Sequence, residues 1–136
     1  MSAQWLENIA RLLLRLSVGG LLFAHGLHKL NYGINGITRL VMAQGWPASL
    51  AWGVYVGELL APLLVIAGAY ARLGGALIAI NMTMALYLAH RLQFWSFKND
   101  GGLAIELQVM FLVGGLCVAL LGAGRYSVMG EQGRWN

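Results

Sequence analysis

The sequence predicts an all-α, polytopic membrane protein: a four-transmembrane-helix bundle with a short interfacial helix between helices 1 and 2. Three observations predict it. Of the 136 residues, 59% are hydrophobic and only 10% are charged, against about half and about a quarter in soluble domains. The mean hydropathy is +0.67, and a soluble fold of this size needs far more polar surface. The apolar residues also fall into four long runs, at about 9–30, 48–70, 73–92 and 103–122, separated by stretches rich in glycine, proline and charge. A chain of this length is a single domain, 1–136.

Helix 1 follows a short polar start in which Trp5 suits a membrane interface. Its uncharged centre runs only from Leu16 to Ala24, bounded by Arg15 and His25. That centre covers roughly 14 Å, under half a hydrocarbon layer, so both flanking groups must snorkel or be buried against partners. Arg11 and Arg15 are four apart and share a face, as do His25 and Lys29, with His28 offset by three. The first apolar run does not read as a cleavable signal, because no small-residue cleavage site is followed by a soluble chain.

The connection from Asn31 to Ser49 carries Gly33, Gly36, Gly45 and Pro47. Within it Ile37, Leu40 and Val41 recur at helical spacing, which predicts the interfacial helix over about 36–44. Gly45-Trp46-Pro47 is a turn with an aromatic anchor. In helix 2, Gly53, Gly57 and Ala61 make a small-residue stripe suited to close helix approach. Glu58 lies beside it, and Pro62 one turn later frees a carbonyl and bends the helix. Helix 3 has a second stripe (Gly75, Ala79, Thr83), and Asn81 near its middle needs an interhelical hydrogen-bond partner. His90 and Arg91 close it, and a loop with Phe94, Trp95, Phe97 and Lys98-Asn99-Asp100-Gly101-Gly102 follows. Helix 4 carries Glu106 near its start and the stripe Gly115, Ala119, Ala123, and the polar remainder from Gly124 is short.

Composition excludes some functions. The formal charge is +4, but the basic residues stand singly and form no nucleic-acid footprint. They read as helix-end anchors facing lipid headgroups of the bilayer. The single cysteine, Cys117, allows neither an intrachain disulfide nor a Cys-x-x-Cys centre. Four spans put both termini on one side. That side holds Arg11, Arg15, Arg72, Arg125 and Arg134, and the other holds Lys29, Arg39, Arg91 and Lys98. Five against four gives a small vote for cytoplasmic termini.

Depth is more informative than sidedness. Counted from the helix ends opposite the termini, His25, Glu58, His90 and Glu106 lie within roughly 3 to 14 Å of one membrane face. Every helix contributes at least one. Ionisable groups in membrane helices cost roughly 3 kcal/mol or more each at depth and mark functional sites. Near the interface Lys29, His90 and Glu106 can snorkel instead. A short acid about 14 Å down cannot, so Glu58 must face the bundle, either paired with Lys29 or a histidine or carrying a proton. The candidate cluster is therefore His25, His28, Lys29, Glu58, His90 and Glu106, with no catalytic role assigned to any one of them and no metal-ligand motif.

Several of these residues form a recognisable pattern. Arg15 is followed by Gly20, Phe23 and His25-Gly26-Leu27-His28-Lys29-Leu30. Gly57-Glu58 comes next with Gly68 and Arg72, then His90 with Phe94, then Glu106 and the closing Leu121-Gly122-Ala123-Gly124-Arg125-Tyr126-Ser127. In this order and spacing the chain resembles the DoxX family, which includes YphA- and YqjF-like proteins, over nearly its whole length. The family's close usually reads Gly-Pro-Gly; here Ala123 replaces the proline. The resemblance implies a four-helix bacterial inner-membrane protein with cytoplasmic termini and a role in membrane redox chemistry. The family name comes from a subunit associated with thiosulfate:quinone oxidoreductase.

Three functional readings stand side by side. In the first, the chain is a membrane redox subunit and a quinone headgroup sits where the histidines and glutamates converge, because quinone reduction takes up protons. Lacking a dithiol, the chain would leave sulfur chemistry to a partner or a non-cysteine site. In the second, His25 or His28 faces His90 to hold haem or a metal. In the third, the polar cluster only knits the helices of a non-enzymatic scaffold or stabilising subunit. A membrane redox complex is the expected partner, and the small-residue stripes also suit a homo-oligomer.

Overall fold

In the computed structural model, which describes residues 2–136, the chain is helical apart from one isolated β-bridge between Phe97 and Leu103. Five helices follow one another: α1 Ala3–Tyr32, α2 Asn35–Ala43, α3 Ala48–Ala67, α4 Ala71–Ala89 and α5 Glu106–Leu121. α1, α3 and α4 are each long and apolar enough to cross a membrane. α5 is apolar but has 16 residues, a rise of about 24 Å against a hydrocarbon layer of about 30 Å.

The helix ends differ from the sequence expectation for local reasons. α1 begins at Ala3 rather than near residue 9. Its first turns are supported by a Glu7–Arg11 pair four residues apart and by buried Asn8, which accepts the Arg125 N–H at 3.2 Å. α5 begins three residues later than expected, because residues 96–104 bond to one another. The Lys98 N–H donates to the Gly102 carbonyl, the Ala104 N–H to Ser96, and the Leu103 N–H to the Glu106 carboxylate at 3.0 Å. α3 stops at Ala67, not Tyr70, in a Schellman turn: the Ala69 N–H reaches Leu64 and the Gly68 N–H reaches Val65, with Gly68 at φ 67°.

The four longer helices form a ring in the order α1, α3, α4, α5, each packing on its two neighbours. Val18, Leu22, Val65, Ile78, Met82 and Val118 fill the centre. α4 packs closely on α5, where Gly75 and Gly115 face one another. A Cβ on either would come within 2.8 Å of the other's carbonyl oxygen, so only glycine permits the approach. α1 makes its own close approaches through Gly19 and Gly26, a pair absent from the stripes read in the sequence. In the α3 stripe, Gly57 and Ala61 are buried but Gly53 faces open space.

The end of the bundle that carries the start of α1 and the ends of α3 and α5 is closed by two arginines. Arg15 is 1% exposed and donates to the carbonyls of Val65, Ile66, Ala123 and Tyr126 at 2.7–2.9 Å. Arg72 donates to Ala119, Leu120 and Asn136. These carbonyls lie at or beyond helix C-termini, where backbone N–H partners run short (Val65 also accepts the Gly68 N–H) and negative partial charge gathers. The segment after α5 folds back across this end, with the Val128 N–H on the Ala67 carbonyl and the Arg72 N–H on the Trp135 carbonyl.

Candidate functional site

The opposite end is built differently, and the difference starts at Pro62. A proline has no N–H to return to the residue four back, which here is Glu58. The chain accommodates it by widening the preceding turn. Val56–Leu60 is a π-helical segment, with the Ala61 N–H reaching back five residues to the Val56 carbonyl. Such single-turn bulges recur at functional sites. The sequence signalled an irregularity at this proline, and the structure gives it the form of a π-bulge.

Glu58 sits inside that bulge, 5% exposed. Its carboxylate pairs with the Lys29 ammonium from the last turn of α1, and its other oxygen accepts from Asn81 Nδ2 on α4 at 3.4 Å. Two glycines make the meeting feasible. A Cβ at Gly26 would strike the Glu58 carbonyl, and one at Gly57 would strike the Asn81 side chain. Lys29 also gains from its position, since a cation suits the negative end of a helix. Its carbonyl accepts the Tyr55 hydroxyl at 3.3 Å.

This triad borders a cavity of about 590 Å³ lined by all five helices. Its walls are mainly apolar, and its roof comes from α2 and the turn after it, through Ile37, Leu40, Val41 and Trp46. Trp46 stacks on Tyr87 of α4, with centroids 6.1 Å apart and planes 15° apart, and the Arg91 guanidinium lies 5.7 Å above the same tyrosine ring. The stack ties the roof to α4.

Four of the six candidate residues line the cavity: His25, Lys29, Glu58 and His90. His25 meets the edge of Phe111 at 5.9 Å. His90 is the residue just after α4; its Nε2 is 3.0 Å from Gln108 Nε2 and its Nδ1 3.2 Å from Gln93 Oε1. Each ring nitrogen donates or accepts according to the tautomer, so the two glutamine amides hold the ring whichever nitrogen carries the proton. The other two candidates are not among the lining residues. His28 is exposed and tilts over Tyr32 at 4.5 Å. Glu106 is exposed and holds the Leu103 N–H, a local cap at the start of α5.

The sequence reading passed over Gln108 and assigned Trp46 to the membrane interface; the interhelical hydrogen bond it expected of Asn81 is the one to Glu58. A signal existed for the first: Gln108 is a lone amide in an apolar helix, which needs a partner within the bundle. Its Oε1 is buried without a protein hydrogen-bond partner. Among the described residues, no three His, Cys, Asp or Glu side chains gather as metal ligands do. His28 does not face His90, and both His90 ring nitrogens are engaged by glutamines.

The arrangement can hold an apolar ring or chain against a buried ammonium–carboxylate pair and an imidazole. Those are groups that donate hydrogen bonds and exchange protons.

A comparison with protein families places residues 10–91 in the DoxX model. That span covers α1 to α4 and includes His25, Lys29, Glu58, Asn81 and His90; α5 with Gln108 and Phe111 lies outside it. A curated relative of Bacillus subtilis (strain 168), named "Putative oxidoreductase CatD", is 33% identical over 79 residues, covering 58% of each chain. The chain thus matches 58% of the length of that relative. No solved structure matches. With the family model spanning more than half of its residues, the chain belongs to the DoxX family.

Proposed function

We propose that this protein is a quinone-linked subunit of a membrane redox complex, with the quinone ring held in the cavity beside Lys29 and Glu58. One observation carries the reading: a largely apolar cavity of about 590 Å³ has a buried ion pair and a hydrogen-bonded imidazole on its walls. Ligand sites combine such volumes and apolar linings with a few placed polar groups. The oxidoreductase name of the Bacillus relative supports the same class of chemistry.

The residues fit the group. A quinone presents a flat apolar ring with two carbonyl oxygens, which need donors. Lys29 carries three N–H bonds, of which the pair with Glu58 uses one. His25 offers a second imidazole at the wall. A bound quinone supplies a two-electron, two-proton couple; the electrons come from a partner redox protein, since this chain has no dithiol. Glu58 holds Lys29 in place and passes protons to and from it, while the apolar walls and the α2 roof keep bulk water away. His90, held by Gln93 and Gln108, is a second group able to relay a proton.

The topology belongs to this proposal. α5 is the fourth span, in a single domain in the bacterial inner membrane with cytoplasmic termini. α2 lies at the outer interface as the cavity's roof. The three histidines, Glu58 and Glu106 then lie towards the outer side, while arginines bonded to carbonyls hold the inner side.

Quinone analysis of protein purified in its native lipids tests the reading. Stoichiometric quinone in the wild type, lost in Glu58→Gln and Lys29→Met, is expected; no quinone in any preparation overturns it. The closed Lys29–Glu58 pair also suits a scaffold in which the cluster only joins α1 to α3. Its signature is lowered stability in the same variants with no ligand to lose.

A further inference from the structure

The cavity is not sealed on all sides. Between α3 and α4 its lining is continuous with the outer surface of the bundle. Leu50 and Val56 of α3 and Ile80 and Met84 of α4 line the cavity, yet are 58%, 43%, 61% and 37% exposed. Leu77 adds a further apolar contact one turn deeper along α4. In a chain with membrane-spanning helices, surface of this kind meets hydrocarbon rather than water. Gly53 leaves this opening clear of any side chain. It lines the cavity, is exposed, and has nothing within 4 Å of where a Cβ would stand. A helix interior normally disfavours glycine, and this one has no close packing to explain it.

One opening therefore joins a polar inner end, at Glu58, Lys29 and Asn81, to an apolar outer end that faces lipid. We propose that this opening is a lateral portal, and that the natural ligand is an amphiphile that enters from the bilayer and leaves its hydrocarbon tail lying between α3 and α4. The head occupies the cavity. The tail runs over Gly53 and along Leu77, Ile80 and Met84. The roof on the aqueous side, tied down by the Trp46–Tyr87 stack, is consistent with entry from the side. Applied to the quinone reading, on which it rests for the identity of the head, this means that a prenyl or alkyl tail is part of what the protein recognises.

The test compares a decyl-substituted benzoquinone with the same ring bearing a methyl group. Binding is measured in nanodiscs, with both affinities corrected for partition into lipid. The tail exchanges lipid contacts for protein contacts, so the expected preference for the long-tailed probe is modest, about five- to tenfold, the equivalent of burying one or two methylenes. Gly53→Phe, which fills open space and leaves the core alone, brings the ratio of the two affinities towards one. Ile80→Trp, on an exposed position, does the same by a second route. Equal affinities in the wild type, or an unchanged ratio in both variants, overturn the portal. If neither quinone binds, the quinone reading fails and the portal is judged by a neutral alkyl amphiphile with a photoactivatable tail. Saturable labelling of α3 and α4 around Gly53 and Met84, reduced in Gly53→Phe, upholds it; labelling that excess unlabelled amphiphile does not compete away overturns it.

Discussion

Removing Lys29 while keeping Glu58 should cost much more than the reverse, although both changes break the same ion pair. Glu58 is 5% exposed on a short side chain inside the π-bulge, so it cannot leave its site. In Lys29→Met its carboxylate keeps only the long Asn81 contact at 3.4 Å. Stranding a buried charge costs about 3–5 kcal/mol, and about 3 is expected here because the Asn81 amide still donates to it. Glu58→Gln strands the ammonium instead, but Lys29 is longer, its side chain is 26% exposed, and it sits in the last turn of α1. It can swing towards the interface, while the new amide oxygen still accepts from Asn81. That variant should lose about 1 kcal/mol, on the scale of one net hydrogen bond. The double variant strands nothing and should also lose about 1, giving a coupling of about 3 kcal/mol between the two sites. Reversible unfolding in mixed micelles measures all three. Equal losses in the single variants, or a coupling below about 0.5 kcal/mol, would refute the geometry described for the pair.

Three other outcomes follow from the packing. Arg15→Met leaves the carbonyls of Val65, Ile66, Ala123 and Tyr126 without their donor, and should lower unfolding free energy by about 3 kcal/mol or more. Arg15→Lys, a point charge without the planar fork, should recover only part of it in the same titration. Gly26→Ala drives a Cβ into the Glu58 carbonyl and should cost about 2–3 kcal/mol, whereas Gly20→Ala on the same helix meets open space and should gain about 0.5–1 kcal/mol; a thermal-shift pair in one detergent separates them. Glu106→Ala removes the acceptor for the Leu103 N–H and should cost about 1 kcal/mol by the same assay, with Glu106→Gln within about 0.5 of wild type, as expected of a cap rather than a charge.

What could be read in advance divides along the line between local and long-range causes. The helices were legible because hydropathy and glycine–proline punctuation act locally, and α2 appeared from the spacing of Ile37, Leu40 and Val41. Glu58 was legible as a bundle-facing group from its depth and shortness alone, and Lys29 was among the partners it suggested. His28 and Glu106 show the limit. Counting residues from a helix end gives depth but no azimuth, so neither could be told from a lining residue until the ring of helices fixed which faces turn inward. The π-bulge was hidden for a related reason. Pro62 announces that a bond is lost but not how the turn before it adjusts, and that depends on how closely Gly26 lets α1 approach. Nor could the fold-back of the segment after α5 be seen, because it depends on carbonyls gathered by Arg15 and Arg72 from helices far apart in sequence.

The two ends of the bundle solve the same electrostatic difficulty in opposite ways, and the contrast bears on where chemistry can occur. At one end, buried cations are satisfied by backbone carbonyls. Arg15 alone takes four of them, and guanidinium stays protonated at any physiological pH. Neither arginine can exchange a proton, and a rearrangement would unbond two helix termini and the fold-back segment together. At the other end the cation meets a carboxylate, Lys29 on Glu58, and an imidazole is held by two neutral amides. These groups can change protonation or partner without dismantling a helix, and they border open volume. Polar groups of the first kind make a lock; those of the second make a site. The placement of Pro62 fits that division. It costs α3 its regular turn at Glu58, beside the cavity, and not at the end where Val65 and Ile66 must present their carbonyls to Arg15.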